Sequence, residues 1–300
     1  MSGKIRFAPS PTGYLHEGHL LSALYVWAAA KKWDLKIHLR IEDHDQSRAR
    51  PAYIAGIRED LAWLGFKYDS ESIQSARGPI YEAALQKLVD KSLVYPCYCS
   101  RKQLLAENPQ SETGEIVYQG KCKHLVILSE SEGPSKVLFD NSAPHNLRFI
   151  VPNKVIDWHD LRLGDFHENP KLQCGDFPIR DRDNQWTYQF AVCVDDIDEQ
   201  ITHIVRGEDI RNSTARQIAL MEALGRKERA VYLHHPLIVD DNNKKLSKRE
   251  LAHSLRQDKE AGITPEMLFG RVCHKAHLTE SDSPITLIDA ISIIMDQIPT

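Results

Sequence analysis

Arg6-Phe7-Ala8-Pro9-Ser10-Pro11-Thr12-Gly13-Tyr14-Leu15-His16-Glu17-Gly18-His19 joins a short apolar strand, residues 5–8, to a long helix, residues 18–32. Pro9 and Pro11 stiffen the connection, and Gly13 is expected to let it turn tightly. Two histidines flank the glycine where the helix starts. A helix N-terminus presents unpaired backbone N–H groups and a partial positive charge, so it suits phosphate. Imidazoles at that point can donate hydrogen bonds to an oxygen gaining charge. A His-x-Gly-His string alone fits ordinary surface or cap histidines better. Its weight changes with Lys244-Lys245-Leu246-Ser247-Lys248, far along the chain after the turn-forming Asp240-Asp241-Asn242-Asn243. Lysines there can neutralise triphosphate oxygens as point charges, whereas alone they would read as a solvated basic loop. Together the two segments point to a nucleotide site.

The flanking sequence predicts strands at 5–8 and 35–41 and helices at 18–32, 51–64 and 79–91. Pro51 and Pro79 suit helix starts, and Gly65 suits a helix end. Strand–helix alternation implies parallel pairing through right-handed crossovers, an α/β Rossmann-like sheet. Long helical periodicity fades between 95 and 176, which reads as an inserted subdomain with short strands at 147–151 and 155–158. Strand patterning returns at 189–194, 201–205 and 231–239, with a helix at 213–224. The tail from Thr264 reads as helical, with Pro265 and Pro284 as starts. The expected organisation is a first Rossmann half (1–94), an insert (95–176), a second half (177–245), and a lysine loop with a short C-terminal helical segment (246–300).

The chain's 300 residues are enough for a well-buried core in two domains. A net charge of -4 excludes a protein that coats polyanions wholesale, but not local nucleic-acid contacts. No signal peptide is expected, because Met1 runs straight into an apparent core strand. The longest apolar run, 20–30, falls short of the roughly 20 residues a membrane span needs. Six cysteines, Cys97 and Cys99 close together and the rest dispersed, make no disulfide framework and fit a reducing cytoplasm.

Four further segments carry chemistry. Arg40-Ile41-Glu42-Asp43-His44-Asp45 ends the second strand, so Glu42 emerges at the same sheet edge as Arg6 and could hold an ammonium group. Asp43 and Asp45 fit a structural acidic cluster better. Tyr188 to Asp196 reads as a strand ending in two acids, and Arg206 closes another. The Arg206 guanidinium could grip a carboxylate bidentately or pair with Asp195 or Asp196. Cys97, Cys99 and Cys122 could make a zinc knuckle, with Tyr118 or His124 as fourth ligand. Cys174, Cys193 and Cys273 sit in apolar or isolated contexts.

Taken in order and spacing, these segments resemble class I aminoacyl-tRNA synthetases of the glutamyl/glutaminyl group. More narrowly, they resemble its short paralogues that charge queuosine in tRNA(Asp), because only about fifty residues follow the lysine loop. The resemblance implies that His16, Gly18, His19 and Lys248 bind ATP, and that His16, His19, Lys245 and Lys248 steady the transition state. It implies a glutamate pocket of Arg6, Phe7, Ala8, Pro9, Ser10, Glu42, Tyr188 and Arg206. It further implies one structural zinc on Cys97, Cys99, Tyr118 and Cys122, and Mg²⁺ carried with ATP. L-glutamate would be activated without tRNA and passed to queuosine-bearing tRNA(Asp), with no residue required as general base. A truncated glutamyl-tRNA synthetase acting on the tRNA 3′ end is the alternative. A monomer with no membrane partner is expected. Two departures stand out: Glu17 replaces an apolar residue inside the histidine motif, and the lysine loop continues into Arg249 rather than ending in serine.

Overall fold

The structure, a computed structural model, describes residues 3–112, 114–125, 143–238 and 253–299. Its first elements are β1 (Lys4–Phe7), α1 (Glu17–Trp33), β2 (Lys36–Ile41), α2 (Pro51–Trp63), β3 (Ser70–Ile73), α3 (Gly78–Asp90) and β4 (Val94–Cys97). α4 (Arg101–Glu107), β5 (Asn146–Phe149), β6 (Ile156–Asp160), β7 (Gly164–Glu168), α5 (Pro170–Gln173) and β8 (Pro178–Arg180) follow. Next come α6 (Tyr188–Asp198), β9 (His203–Gly207), α7 (Thr214–Ala223), β10 (Val231–His235), α8 (Leu255–Glu260), α9 (Pro265–Lys275) and α10 (Leu287–Gln297).

A seven-stranded sheet has the order β3-β2-β1-β9-β10-β6-β7. All its pairings are parallel except the β6–β7 hairpin. Strand side chains alternate between faces. Val205 and Leu233 therefore join the core formed with α1, α2, α9 and α10, while Ile204 and Tyr232 join the core formed with α3, α6 and α7. β1 has β2 on one side and β9 on the other, so the chain's winding reverses there. The crevice beyond the C-terminal ends of these two strands is where such sheets bind ligands.

α1 is apolar nearly all round, and residues 20–30 except Ser22 are buried. α9 and α10 cover the side that the sheet leaves free. Lys32 Nζ donates to the carbonyls of Met295 and Ile298, closing the end of α10 onto α1. Gly270 makes the approach of α9 possible, since a Cβ there would lie 2.1 Å from the Ser283 carbonyl oxygen. Among the described residues no helix is long and apolar enough to cross a membrane.

Several expectations need correction. Residues 189–194 lie in helix α6, so Tyr188 to Asp196 is no strand. An apolar run of that length does not distinguish a strand from a helix buried on most sides. The deciding signal is the acids: Asp195, Asp196 and Glu199 fall at helical spacing and all face Arg40. Strands β6 and β7 belong to the main sheet, and β4, β5 and β8 form a separate antiparallel sheet. The expected boundaries at 95 and 176 therefore cut across both sheets. The last helix starts at Leu287 with Thr286 as its cap, so Pro284 precedes it. Gly13 has no positive φ and a Cβ there would meet nothing, so the turn does not depend on it.

Candidate functional site

The connection after β1 is pinned to its neighbours. Pro9 O accepts from Glu42 N at 3.1 Å, and Pro11 O accepts from Arg50 N at 3.3 Å. At the start of α1 the two histidines cap the helix reciprocally. Gly18 N donates to His16 Nδ1 at 3.1 Å, and His16 N donates to His19 Nδ1 at 3.2 Å. A Cβ on Gly18 would sit 3.0 Å from the His16 ring, so the missing side chain is what lets that ring close down. A nitrogen accepting an N–H carries no proton, so each neutral imidazole holds its hydrogen on Nε2. Glu17 turns away: its carboxylate pairs with Arg271 and Lys275 of α9, each at 2.7 Å. Its charge is thus offset at the helix start.

The crevice holds a cavity of ≈ 140 Å³. Arg6, Phe7, Ala8, Pro9, Glu42, Tyr188 and Arg206 line it together with His19. Of the residues expected for a glutamate pocket, Ser10 alone does not line it. His16 and Gly18 also lie outside its lining, at the turn beside it. Sequence reading misses Ser22, Val26, Val205, Gly207 and Ile210. Ser22 and Val26 follow His19 by three and seven positions on the same helix face, the signal that could have found them. Lys245 and Lys248 lie outside the described residues. A larger cavity of ≈ 480 Å³ runs along Trp158, Phe166 and Tyr232, but none of the expected site residues lines it.

Charge in the small cavity is arranged in layers. Beneath it, fully buried Arg40 donates to Asp196 at 2.7 Å and to Glu199 at 2.5 Å. Arg6 Nε donates to the same Asp196 oxygen at 3.1 Å. Glu42 stands 3.8 Å from Arg40, and its Oε1 is buried without a hydrogen-bond partner. Burial pushes Glu42 up to about 7, against the pull of Arg40 and Arg6. Arg206 does not pair with Asp195 or Asp196. It donates to His234 Nε2 at 3.0 Å, Gln217 Oε1 at 2.6 Å and Thr214 Oγ1 at 2.8 Å. The neighbouring acids behave structurally: Asp43 accepts from Ser75 N at 2.7 Å, and Asp45 closes the Ser47–Arg48 turn.

Cys97, Cys99 and Cys122 place their sulfurs within 4.8 Å of one another. Tyr118 Oη is 3.4 Å from Cys97 Sγ, 3.5 Å from Cys99 Sγ and accepts from Cys122 N at 3.0 Å. His124 is exposed and outside this group. Three thiols converging with one phenol are donors suited to zinc. Burial pushes the Cys99 thiol up to about 11 and raises the Tyr118 phenol. Burial also opposes ionisation of Cys122, yet hydrogen bonds from Tyr118, the Tyr98 backbone and the other thiols hold it below the ordinary thiol value. Cys174, Cys193 and Cys273 are buried elsewhere, and all six cysteines are free.

Residues 4–293 match the family model described as tRNA synthetases class I (E and Q), catalytic domain. The chain is 39% identical over 273 residues to the glutamate–tRNA ligase of Aquifex aeolicus, covering 90% of this chain but 56% of that protein. It therefore spans about half the length of such curated relatives. It is 36% identical over 285 residues to the glutamyl-Q tRNA(Asp) synthetase of Neisseria gonorrhoeae, covering 95% of this chain and 92% of that one. The crystal structure of the glutamate–tRNA synthetase from Elizabethkingia anophelis superposes with a TM-score of 0.77 at 26% identity, covering 97% of this chain and 65% of that one.

Proposed function

The chain belongs to the catalytic-domain family of class I tRNA synthetases (E and Q), and from that premise we propose that it activates L-glutamate with ATP and passes the glutamyl group to queuosine in the anticodon of tRNA(Asp). One observation carries the activation step. A small cavity brings together Glu42, whose carboxylate oxygen Oε1 has no hydrogen-bond partner, and the guanidinium groups of Arg6 and Arg206, the complement of an amino acid with two carboxylates. The choice of queuosine is supported by likeness to the N. gonorrhoeae synthetase along most of its length.

In the first step an oxygen of the glutamate α-carboxylate attacks the α-phosphorus of ATP. A C–O–P bond forms, the bond to pyrophosphate breaks, and charge spreads over the phosphoryl oxygens. The chain aligns the reactants and offsets that charge without a covalent nucleophile. His16 and His19 present Nε2–H donors to the phosphoryl oxygens beside the start of α1. Lys245 and Lys248 add cations, and Mg²⁺ carried with ATP would neutralise the pyrophosphate. In the second step a queuosine cyclopentenediol hydroxyl attacks the glutamyl carbonyl and AMP leaves. Zinc held by Cys97, Cys99, Tyr118 and Cys122 would cross-link β4 to the segment around Tyr118. The reading sets a monomer in the cytoplasm, where free thiols persist.

The deciding assay supplies purified chain, ATP and labelled glutamate with queuosine-bearing tRNA(Asp), tRNA(Asp) lacking queuosine, or tRNA(Glu). Label should enter only the first. Label entering tRNA(Glu) would instead favour the activity named for the A. aeolicus relative.

Glu42 gives the reaction a pH signature. Burial pushes its carboxyl up to about 7, so below that value it is protonated and cannot pair with the substrate ammonium. The KM for glutamate should rise about tenfold between pH 8 and pH 6, and Glu42→Gln should flatten the profile while weakening binding throughout. A flat wild-type profile would remove Glu42 from the site. For the thiol cluster, Cys122→Ser should lower metal content from one zinc per chain to a small fraction, measured by atomic emission.

A further inference from the structure

Arg206 owes its position to a chain of three buried side chains that begins outside the cavity. Asp160 at the end of β6, His234 in β10 and Arg206 in β9 stand on adjacent parallel strands. Asp160 Oδ2 accepts from His234 Nδ1 at 2.7 Å and from His234 N at 2.9 Å. Its Oδ1 accepts from Arg162 N at 3.0 Å and Leu163 N at 2.9 Å. Every partner of this carboxylate is a donor, so it serves purely as an acceptor. His234 must therefore hold its proton on Nδ1, which leaves Nε2 as a lone pair. That lone pair receives Arg206 Nε at 3.0 Å. Burial holds the ring below the ordinary histidine range, in keeping with the neutral form this geometry needs.

Arg206 has five N–H groups and spends three on His234, Gln217 and Thr214. One remains on each terminal nitrogen, while the plane of the guanidinium is locked from behind. We infer that Asp160 and His234 are positioning residues that orient Arg206 toward the carboxylate of its substrate, and so set the affinity for glutamate. The inference rests on the reading of the cavity as a glutamate site. Neither residue touches the cavity, and sequence reading singles out neither.

The tautomer and the affinity test it together. In wild-type protein, ¹⁵N NMR of the imidazoles should show His234 protonated at Nδ1. Asp160→Asn puts an amide N–H where an acceptor stood, which should move the His234 proton to Nε2, facing the Arg206 donor. His234→Gln can return an acceptor oxygen near the Nε2 position, whereas His234→Asn reaches only as far as Nδ1. In ATP–pyrophosphate exchange, Asp160→Asn and His234→Asn should raise the KM for glutamate about tenfold or more, with the KM for ATP within about twofold and most of the loss restored in His234→Gln. A wild-type His234 protonated at Nε2, a glutamate KM unmoved by either variant, or glutamate and ATP constants rising in step would overturn the inference. Wild-type chain that exchanges no pyrophosphate with glutamate refutes the glutamate reading instead, and the NMR comparison still decides whether Asp160 sets the tautomer.

Discussion

Arg206→Ala should reduce glutamate-dependent pyrophosphate exchange by about 10²–10³-fold while the protein stays folded. The guanidinium lies at the crevice where β9 ends, lining the cavity from a buried position. Removing one member of a buried, hydrogen-bonded charge pair costs roughly 2–5 kcal/mol in binding, because the partner charge is left without compensation. Here the uncompensated partner would be a substrate carboxylate, and His234, Gln217 and Thr214 would also each lose a donor. Arg206→Lys separates charge from shape. An ammonium keeps the positive charge but cannot serve three fixed acceptors and a carboxylate from one planar group. It should recover only part of the loss. Exchange in the alanine variant within about twofold of wild type, with an unchanged melting curve, would take Arg206 out of the site.

Arg40→Leu should destabilise the fold by about 3–5 kcal/mol, read as a loss of roughly 10 °C in melting temperature. Arg40 is fully buried and compensates Asp196 and Glu199 directly, with Asp195 and Glu42 at 3.8 Å. Leucine fills much of the volume but removes the buried cation these carboxylates share, leaving Asp196 with Arg6, Glu199 with His38 and Asp195 with Arg77. The deficit has a definite pH dependence. Although burial raises the Glu199 pKa, hydrogen bonds from His38 and Arg40 and the Arg40 charge hold it far below the usual carboxylate range. A depressed folded-state value stabilises the fold above the unfolded value and is lost as pH falls toward the folded one. The gap between wild type and variant should therefore be widest near neutrality and narrow below about pH 4.5. A gap that widens on acidification would contradict the assigned role. Equilibrium urea titrations at several pH values, with m-values compared, make the measurement.

Much of the site is legible in the sequence because strand ends leave a signature: apolar residues that stop abruptly at a charged one. Glu42 and Arg206 follow that rule, Arg6 sits one residue inside the end of β1, and the parallel order of β1, β2 and β9 brings the three to one edge. The reciprocal capping by His16 and His19 is local and so is written in their spacing. Long-range matters are not. No local pattern tells that Asp160, 74 residues before His234, will accept its proton. Nor does one tell that β6 and β7 extend the main sheet rather than the smaller one. Tyr188 lines the cavity from the first turn of a helix rather than from a strand, because buried apolar runs carry no period that favours one geometry.

The turn that bears the histidines rests on parts of the chain that come nearly last. Glu17 is gripped by two cations of α9, Leu255 N donates to Leu15 O at 2.8 Å, and α10 is latched to the far end of α1 by Lys32. The C-terminal helices thus act as a foundation rather than a trailing appendage, and the histidine turn inherits its alignment from residues 255–298. Shortening or redesigning that end would loosen the histidine-bearing turn from a distance, without altering any atom that lines the cavity.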